Sequence, residues 1–142
     1  MWKILKNLKN LSIMSLEVKS PEQFKSLHEL LSYFKDEQTC RDYIEQWRWG
    51  GELRCADCGH NKIYRFKAGN RFKCANCKEY FTLLGGTIFD NTKLPLVKWM
   101  MAIWFIGNHK KGISSCQLAR DLGITQKNAW HILHKIRRGL SQ

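Results

Sequence analysis

The stretch Cys55-Ala-Asp-Cys58, followed after fifteen residues by Cys74-Ala-Asn-Cys77, decides the fold of this chain. Two Cys-x2-Cys pairs at this separation are typical of a zinc ribbon. Two residues between paired cysteines let a tight turn direct both sulfurs at one ion, and four thiolates complete the tetrahedral shell of Zn²⁺. Because such a shell has no open position, the ion is structural. We predict one structural Zn²⁺ held by Cys55, Cys58, Cys74 and Cys77.

Two disulfides, a Cys-x2-Cys redox centre and an iron site are the alternatives for these four cysteines. The absence of a visible secretory signal disfavours disulfides, and a redox centre needs a βαβ setting that the sequence lacks. Four thiolates also suit iron, so the choice of metal stays open at this stage. The other two cysteines, Cys40 and Cys116, fall in helical patterns beside apolar residues. We expect both to be small core side chains.

The segment between the cysteine pairs predicts a β-hairpin. Residues 62–73 hold two alternating runs around Ala68-Gly69-Asn70, which has the composition of a turn. Beyond the second pair, the segments Tyr80–Leu83 and Thr87–Phe89 have the composition of short strands. The basic residues of the hairpin are candidates for contacts with a nucleic-acid backbone; they are Lys62, Arg65, Lys67, Arg71 and Lys73.

Two helices are predicted before the ribbon. Ser20-Pro21-Glu22-Gln23 has the pattern of a capping box, and apolar residues then recur at helical spacing to Phe34. A second helix begins at Asp36 and ends at Gly50-Gly51. We expect its Trp47 and Trp49 to pack against the ribbon, and no chemistry is suggested by this helical pair.

The first residues of the chain form an amphipathic pattern. Ile4, Leu5, Leu8 and Leu11 fall on one helical face and three lysines on another, which fits a membrane-surface helix. The alternative, which we favour, is an extension with no structural role before a start at Met14. No apolar run is long enough for a signal peptide or a membrane span.

Positive charge is concentrated in the last third of the chain. The formal net charge is +12, and residues 91–142 hold nine Lys or Arg against one acidic residue. This balance indicates a polyanionic partner, although basic surfaces without such a partner also exist. In the same third, residues 96–106 are apolar on nearly every face, which predicts a buried helix between the ribbon and the following segment.

Residues 115–134 match the helix-turn-helix pattern. Leu118, Ala119, Ala129 and Ile132 occupy inward positions, and Gly123 occupies the turn. Amide side chains can pair with adenine edges, and basic side chains can reach guanine or phosphate. A helical hairpin that meets only water is the alternative. The candidate DNA-binding residues are Thr125, Gln126, Lys127, Asn128, His131, His134, Lys135, Arg137, Arg138, Lys110 and Lys111. Trp130 occupies an outward position, and we expect it to cover the long apolar helix instead of contacting DNA.

Taken in series, these motifs resemble the N-terminal part of an insertion-sequence transposase that carries a transposase zinc ribbon ahead of a DDE-type catalytic domain. The resemblance rests on several short segments between residues 20 and 139. They are Trp47-Arg48-Trp49-Gly50, Arg71-Phe-Lys-Cys74, Gly86-Thr87-Ile88-Phe89, Leu96-x-Lys98-Trp99, Lys111-Gly112-Ile-Ser114, Gln117–Trp130 and Lys135-Ile-Arg137. It implies that ribbon and helix-turn-helix hold transposon ends, while a separate acidic domain cuts and joins DNA.

The acidic domain would begin shortly after Arg137, whereas this sequence ends at Gln142, and Asp121 is the only carboxylate after Asp90. A two-metal site needs several carboxylates, so we expect no DNA cleavage by these residues and no catalytic residue among them. The expected function is DNA binding at transposon terminal repeats. The alternatives are a self-standing transcriptional regulator or transposition inhibitor, and a protein-docking ribbon whose basic tail binds RNA.

The expected fold class is α+β, mostly α. We expect an extension at 1–19, a helical pair at 20–51, a four-cysteine zinc ribbon at 52–90, and a buried helix with a helix-turn-helix at 91–142. The expected partner is double-stranded DNA, with a homodimer on DNA left open and no membrane partner. The expected location is the bacterial cytoplasm, in association with the nucleoid.

Overall fold

A computed structural model describes residues 20–50, 52–67 and 71–141. The predicted extension at 1–19 and the hairpin tip at 68–70 lie outside these residues. A short 3₁₀ turn at Pro21–Gln23 precedes the regular elements. These are α1 (Leu27–Tyr33), α2 (Glu37–Trp49), β1 (Ile63–Arg65), β2 (Arg71–Cys74), β3 (Tyr80–Thr82), α3 (Leu96–Asn108), α4 (Ser115–Leu122) and α5 (Gln126–Ser141). The predicted class, α+β and mostly α, is confirmed.

The single helix expected from Pro21 to Phe34 is wrong, because the chain is extended at Phe24 between the 3₁₀ turn and α1. Gln23 Oε1 accepts from the Ser20 N–H at 3.1 Å, as the capping pattern requires, but the turn stops there. A second cap follows at Ser26, whose Oγ accepts from the Glu29 N–H at 3.2 Å. The break lets Phe24 bury its ring in the core against Phe34.

Helix α2 forms as predicted and carries the ribbon. Asp36 is its N-cap residue, and Gly50 ends it in the left-handed region at φ 61°, where glycine is favoured. The ring of Trp49 makes edge contacts with Phe72 and Phe81 on the sheet, as expected. Trp47 lines a small cavity with Met100 of α3 and with Phe89, which belongs to the segment 52–90 predicted as the ribbon.

The sheet is antiparallel in the order β1-β2-β3. Ile63 pairs with Cys74, and Phe72 pairs with both Arg65 and Phe81. Since side chains alternate along a strand, this register puts Phe72 and Phe81 on one face, under Trp49. The opposite face carries Tyr64, Lys73 and Tyr80 in one row across the three strands.

The predicted strand at Thr87–Phe89 is wrong, because this segment forms turns. Thr87 Oγ1 donates to the Leu84 carbonyl at 2.6 Å and accepts from the Phe89 N–H at 3.2 Å. The Asp90 N–H donates to the Thr87 carbonyl. These local bonds satisfy the backbone that a strand would pair with a neighbour.

Helix α3 is the central element of the core. It packs against the 3₁₀ turn, α1 and α2, and also against α4 and α5. Its Trp99 also makes an edge contact with Phe89, in the segment 52–90 predicted as the ribbon. Glu37 of α2 accepts from the Leu96 N–H at 2.9 Å and so caps its first turn, and Trp104 Nε1 donates to the Phe24 carbonyl at 3.0 Å. Within the described residues, no helix combines the length and the apolar character that crossing a membrane requires.

Candidate metal centre and nucleic-acid interface

Two turns of similar construction present the four cysteines. In the first, the Cys55 N–H donates to the His60 carbonyl at 2.9 Å; in the second, the Cys74 N–H donates to the Glu79 carbonyl at 3.0 Å. Each turn passes through the left-handed region one residue after its last cysteine, at Gly59 (φ 71°) and Lys78 (φ 61°). Glycine adopts this conformation readily, whereas lysine has no preference for it, so the sequence carries no signal for the turn at Lys78.

The four sulfurs lie close enough to hold one ion. All four Sγ atoms fall within 4.8 Å of one another, with 3.6 Å between Cys55 and Cys77 and 3.4 Å between Cys58 and Cys74. Sulfurs at the corners of a tetrahedral zinc site are about 3.8 Å apart, given a Zn–S distance of about 2.3 Å. A disulfide joins sulfurs at about 2.05 Å, so these separations fit a shared ion and not two disulfides.

The thiols of Cys58 and Cys77 differ in the direction of their pKa shifts. The Glu79 N–H favours the thiolate of Cys77, but burial and the other three cysteines outweigh it and raise the pKa of that thiol. The backbone N–H of His60 lies against Cys58 and lowers the pKa of its thiol below the ordinary value. Thiolate is the form that binds metal. The close approach of the four sulfurs confirms one structural zinc ion, with Cys55, Cys58, Cys74 and Cys77 as the residues that would hold it.

Comparison with known proteins supports the same conclusion. Residues 35–80 match the transposase zinc-ribbon domain of the IS1595 type. This part of the chain is therefore similar to a transposase zinc ribbon. It is also 23% identical over 110 residues to an uncharacterized protein in transposable element ISH50 of Halobacterium salinarum. That match covers 75% of this chain and 37% of the relative, so the chain spans little more than a third of the relative's length. No solved structure gives a significant match.

The transposase-type ribbon is fastened to α2 by arginines. Arg48 donates from Nη1 to the carbonyls of Leu83 at 2.8 Å and Thr82 at 3.2 Å, at the end of β3. Burial lowers the pKa of Arg48, and its guanidinium lies 4.7 Å from the Trp49 ring centroid. Arg65 of β1 pairs with Glu45 of α2 through two hydrogen bonds. The sequence suggested Arg65 as a backbone contact for nucleic acid, whereas the structure gives it a protein partner.

The two cysteines outside the ribbon differ from each other. Cys40 is fully buried in the core, as expected, and burial raises the pKa of its thiol to about 12. Cys116 lies on the exposed side of α4, so the expectation that it is a core side chain is wrong. Cys116 is close in sequence to the apolar Leu118 and Ala119. Those two residues and Leu122 form the buried side of α4, and Cys116 does not lie on that side.

Helices α4 and α5 form a closely packed pair joined by three residues. The connection turns at Gly123, which has φ 63°, and the Ile124 N–H donates to the Ala119 carbonyl at 3.0 Å. Ser114 Oγ caps α4 through the Gln117 N–H, and Thr125 Oγ1 caps α5 through the Asn128 N–H. Lys98 of α3 donates to the Leu122 carbonyl at the end of α4. This lysine joins the pair to the central helix at the carbonyl end of α4, where a cation is favoured.

The residues expected to face inward do so. Leu118, Leu122, Ala129 and Ile132 are at most 1% exposed, and Ala119 is 8% exposed. With Leu133 and Ile136, they bury one side of the pair against the rest of the core. The opposite side of α5 is open, and its exposed residues recur at helical spacing. These residues, which we call the α5 face, are Lys127, Trp130, His131, His134, Arg137 and Arg138.

The structure sorts the remaining predicted DNA contacts. Thr125 and Gln126 are exposed, but Gln126 Nε2 donates to Ser115 Oγ at 2.9 Å. Asn128 is half-buried. Lys135 is also half-buried and donates to the Asp90 carbonyl at 2.7 Å, beside the Trp99 ring. Lys110 and Lys111 are exposed in the turn between α3 and α4.

Trp130 is a candidate that sequence reasoning placed wrongly. Its side chain is 45% exposed and does not cover the apolar α3. Its ring lies 4.0 Å from that of His134 and 5.3 Å from that of His131. The spacing of residues 130 and 134 was the available signal, because side chains four apart on a helix are neighbours.

Proposed function

We propose that this chain binds double-stranded DNA through α4 and α5, with α5 as the recognition helix of a helix-turn-helix. The observation that carries the proposal is the α5 face. It presents three basic residues, two histidines and one tryptophan to solvent on a helix whose other side is held in the core. An α-helix of this kind fits the major groove of B-DNA.

Charge supports a duplex as the partner. Asp121 is the one acidic residue after Asp90, and its carboxylate accepts from Gln117 Nε2 at 2.9 Å. The cations that flank the α5 face, including Lys110, Lys111 and Arg120, are exposed. Phosphate contacts from such residues supply affinity for any sequence and position the protein on the duplex.

We assign the two contributions to different residues. Lys127, Trp130 and His131 lie in the first half of α5, from which helix-turn-helix proteins contact base edges, and His134 follows directly after it. Arg137 and Arg138, with Lys110 and Lys111, bind phosphates. Lys135 and Gln126 position the helix, because each donates a hydrogen bond to another part of the protein, Lys135 to the Asp90 carbonyl and Gln126 to Ser115 Oγ. The ribbon holds the fold that presents α5.

The transposase-related ribbon and the ISH50 relative support a more specific target, the terminal repeats of a mobile element. On this proposal the described residues bind element ends and leave strand cleavage to a separate acidic domain. Binding as a homodimer would follow if the two half-sites of a repeat are spaced by one helical turn of DNA. A DNA-bound protein of this kind would be associated with the nucleoid.

The test is a gel shift with the terminal duplex of the parent element and a shuffled duplex of the same composition. We expect the terminal duplex to be bound more tightly, and Lys127→Ala to reduce that preference. Arg137→Ala is expected to weaken both complexes to the same extent. Equal binding of the two duplexes by the unaltered protein would contradict terminal-repeat recognition, and binding of neither would contradict DNA binding.

A further inference from the structure

The outer face of the three-stranded sheet carries aromatic rings interleaved with cations. Tyr64, Lys73 and Tyr80 lie side by side across β1, β2 and β3, and the Phe66 N–H donates to the Arg71 carbonyl one row further along. Since residues two apart on a strand share a face, Tyr64, Phe66, Arg71, Lys73 and Tyr80 form one surface. We call these five residues the outer sheet face.

Its rings are open to solvent. Tyr64 is 52% exposed, Phe66 44% and Tyr80 54%, and they are three of the six large apolar or aromatic side chains exposed among the described residues. Phe66 and Tyr80 lie 6.0 Å apart, with their planes 33° from parallel. Three open rings on one face of a sheet of three short strands form an exposed aromatic surface, and surfaces of this kind mark interaction sites.

Cations lie against these rings. Lys73 Nζ is 5.0 Å and Arg71 Cζ is 5.8 Å from the Tyr80 ring centroid. Lys62, Lys67 and Lys78 are exposed around the same hairpin, and Glu79 is the one acidic residue between 62 and 80. Arg65 takes no part, because it is paired with Glu45 on α2.

The combination of open rings and cations favours one class of binding partner over the others. Lysine is depleted from the centres of protein–protein interfaces, whereas Lys73 occupies the middle strand of this patch. In duplex DNA the flat faces of the bases are covered by their neighbours, so open rings have nothing to stack on. Unpaired bases expose those faces, and aromatic sheet surfaces bordered by cations bind them by stacking while the cations hold the phosphates.

We propose that the outer sheet face binds single-stranded DNA, stacking about two or three bases on Tyr64, Phe66 and Tyr80 as other aromatic sheet faces do. Lys73 and Arg71 would contact the phosphates between the stacked bases. This site lies on the ribbon and not on α5, so the proposal does not depend on the duplex function proposed above.

The test measures fluorescence anisotropy of a labelled oligothymidylate with the full chain carrying Tyr64→Thr and Tyr80→Thr. Threonine suits a strand and removes the ring, and each lost ring should weaken binding roughly tenfold or more. Tyr64→Phe with Tyr80→Phe is the matched control, because it keeps both rings and should bind as the unaltered protein does. Zinc content and circular dichroism establish that each variant is folded.

Duplex DNA and oligouridylate are measured in parallel. We expect the threonine variant to bind duplex normally, and Lys127→Ala with Arg137→Ala to bind duplex more weakly while binding the oligothymidylate as the unaltered protein does. The proposal is overturned if the folded threonine variant binds oligothymidylate unchanged, if it loses duplex binding equally, or if the unaltered protein binds no oligothymidylate. Binding of oligouridylate alone would assign the face to RNA and would also overturn it.

Discussion

At the scale of single residues, Arg48 of α2 links the zinc ribbon to the helical part of the protein. Arg48 lies in the last turn of α2, and its guanidinium donates hydrogen bonds to two carbonyls at the end of β3. We expect Arg48→Gln to lower the free energy of unfolding by about 2 kcal/mol, because hydrogen bonds from a charged group are lost and carbonyls are left unpaired. Urea denaturation measures this loss, and Arg48→Lys should recover part of it, since lysine keeps the charge but not the fork. Unchanged stability in both variants would show that Arg48 does not stabilise the contact between the ribbon and α2.

Lys135 and Arg137 make a second comparison at this scale. Lys135 donates to the Asp90 carbonyl, whereas Arg137 is exposed. We expect Lys135→Met to lower the thermal midpoint and Arg137→Ala to leave it unchanged, because only the first loses an intramolecular bond. Differential scanning calorimetry separates them. A thermal midpoint lowered as much by Arg137→Ala as by Lys135→Met would show that both side chains support the fold.

Helical spacing predicted for most residues whether they are buried or exposed, but it did not predict which side chains contact each other. Inward and outward positions of the α4–α5 pair came from helical spacing, which the burial of Leu118 and Ala129 confirms. The bond from Gln126 to Ser115 and the ring contact of Trp130 with His134 depend on side-chain rotamers. Rotamers are set by the neighbours a folded chain supplies, and periodicity does not encode them.

At the scale of elements, the ribbon depends on its metal. Cys58→Ser should lower bound zinc well below one ion per chain and unfold the sheet, because a small three-stranded unit buries too little apolar surface alone. Cys116→Ser is the matched control and should retain one zinc, since Cys116 lies outside the cluster. Atomic absorption after dialysis measures both. Full zinc content in Cys58→Ser would exclude the four-cysteine site.

We expect acid to release the zinc from the four cysteines. Binding requires thiolates, so protons compete with the ion and zinc affinity falls as pH is lowered. A chromogenic chelator follows release during an acid titration. Release that is independent of pH would indicate ligands other than thiolates.

The connection between α4 and α5 depends on a left-handed residue. Gly123 has φ 63°, and an added Cβ would meet only Lys98 Nζ, at 3.8 Å. The expected loss of stability on Gly123→Ala, about 1 kcal/mol, therefore comes from backbone strain and not from a clash. Gly123→Asn should lose less, because asparagine tolerates this conformation. Equal losses measured by urea denaturation would point to crowding.

Helices were predicted correctly where one sequence signal favoured them and no other signal competed. Helices α2 and α3 have clear starts and long apolar patterns, and both form. The predicted helix to Phe34 is interrupted because Ser26 and Glu29 supply a second cap that competes with the first. At Thr87 the β-branched side chain favoured a strand, but its hydroxyl bonds locally to Leu84.

At the scale of the whole molecule, α3 unites a near-neutral N-terminal part with a basic C-terminal part. Glu37 caps α3 from α2, and Lys98 joins it to α4. The charge asymmetry was visible in the sequence, whereas the order of packing around α3 was not, because many apolar faces compete for one core. In the C-terminal part, most exposed cations lie on α4, on α5 and in the turn before α4, where we place the duplex.

The most direct test of that placement is the affinity for duplex DNA as a function of salt, measured by fluorescence anisotropy. The variant is Lys127→Ala with Arg137→Ala, and the control is Lys25→Ala with Lys35→Ala, which removes the same charge from exposed positions before α2. We predict weaker binding and a salt slope shallower by roughly one unit per lost phosphate contact in the first variant, and little change in the control. Equal effects in the two variants would contradict duplex binding by the α5 face.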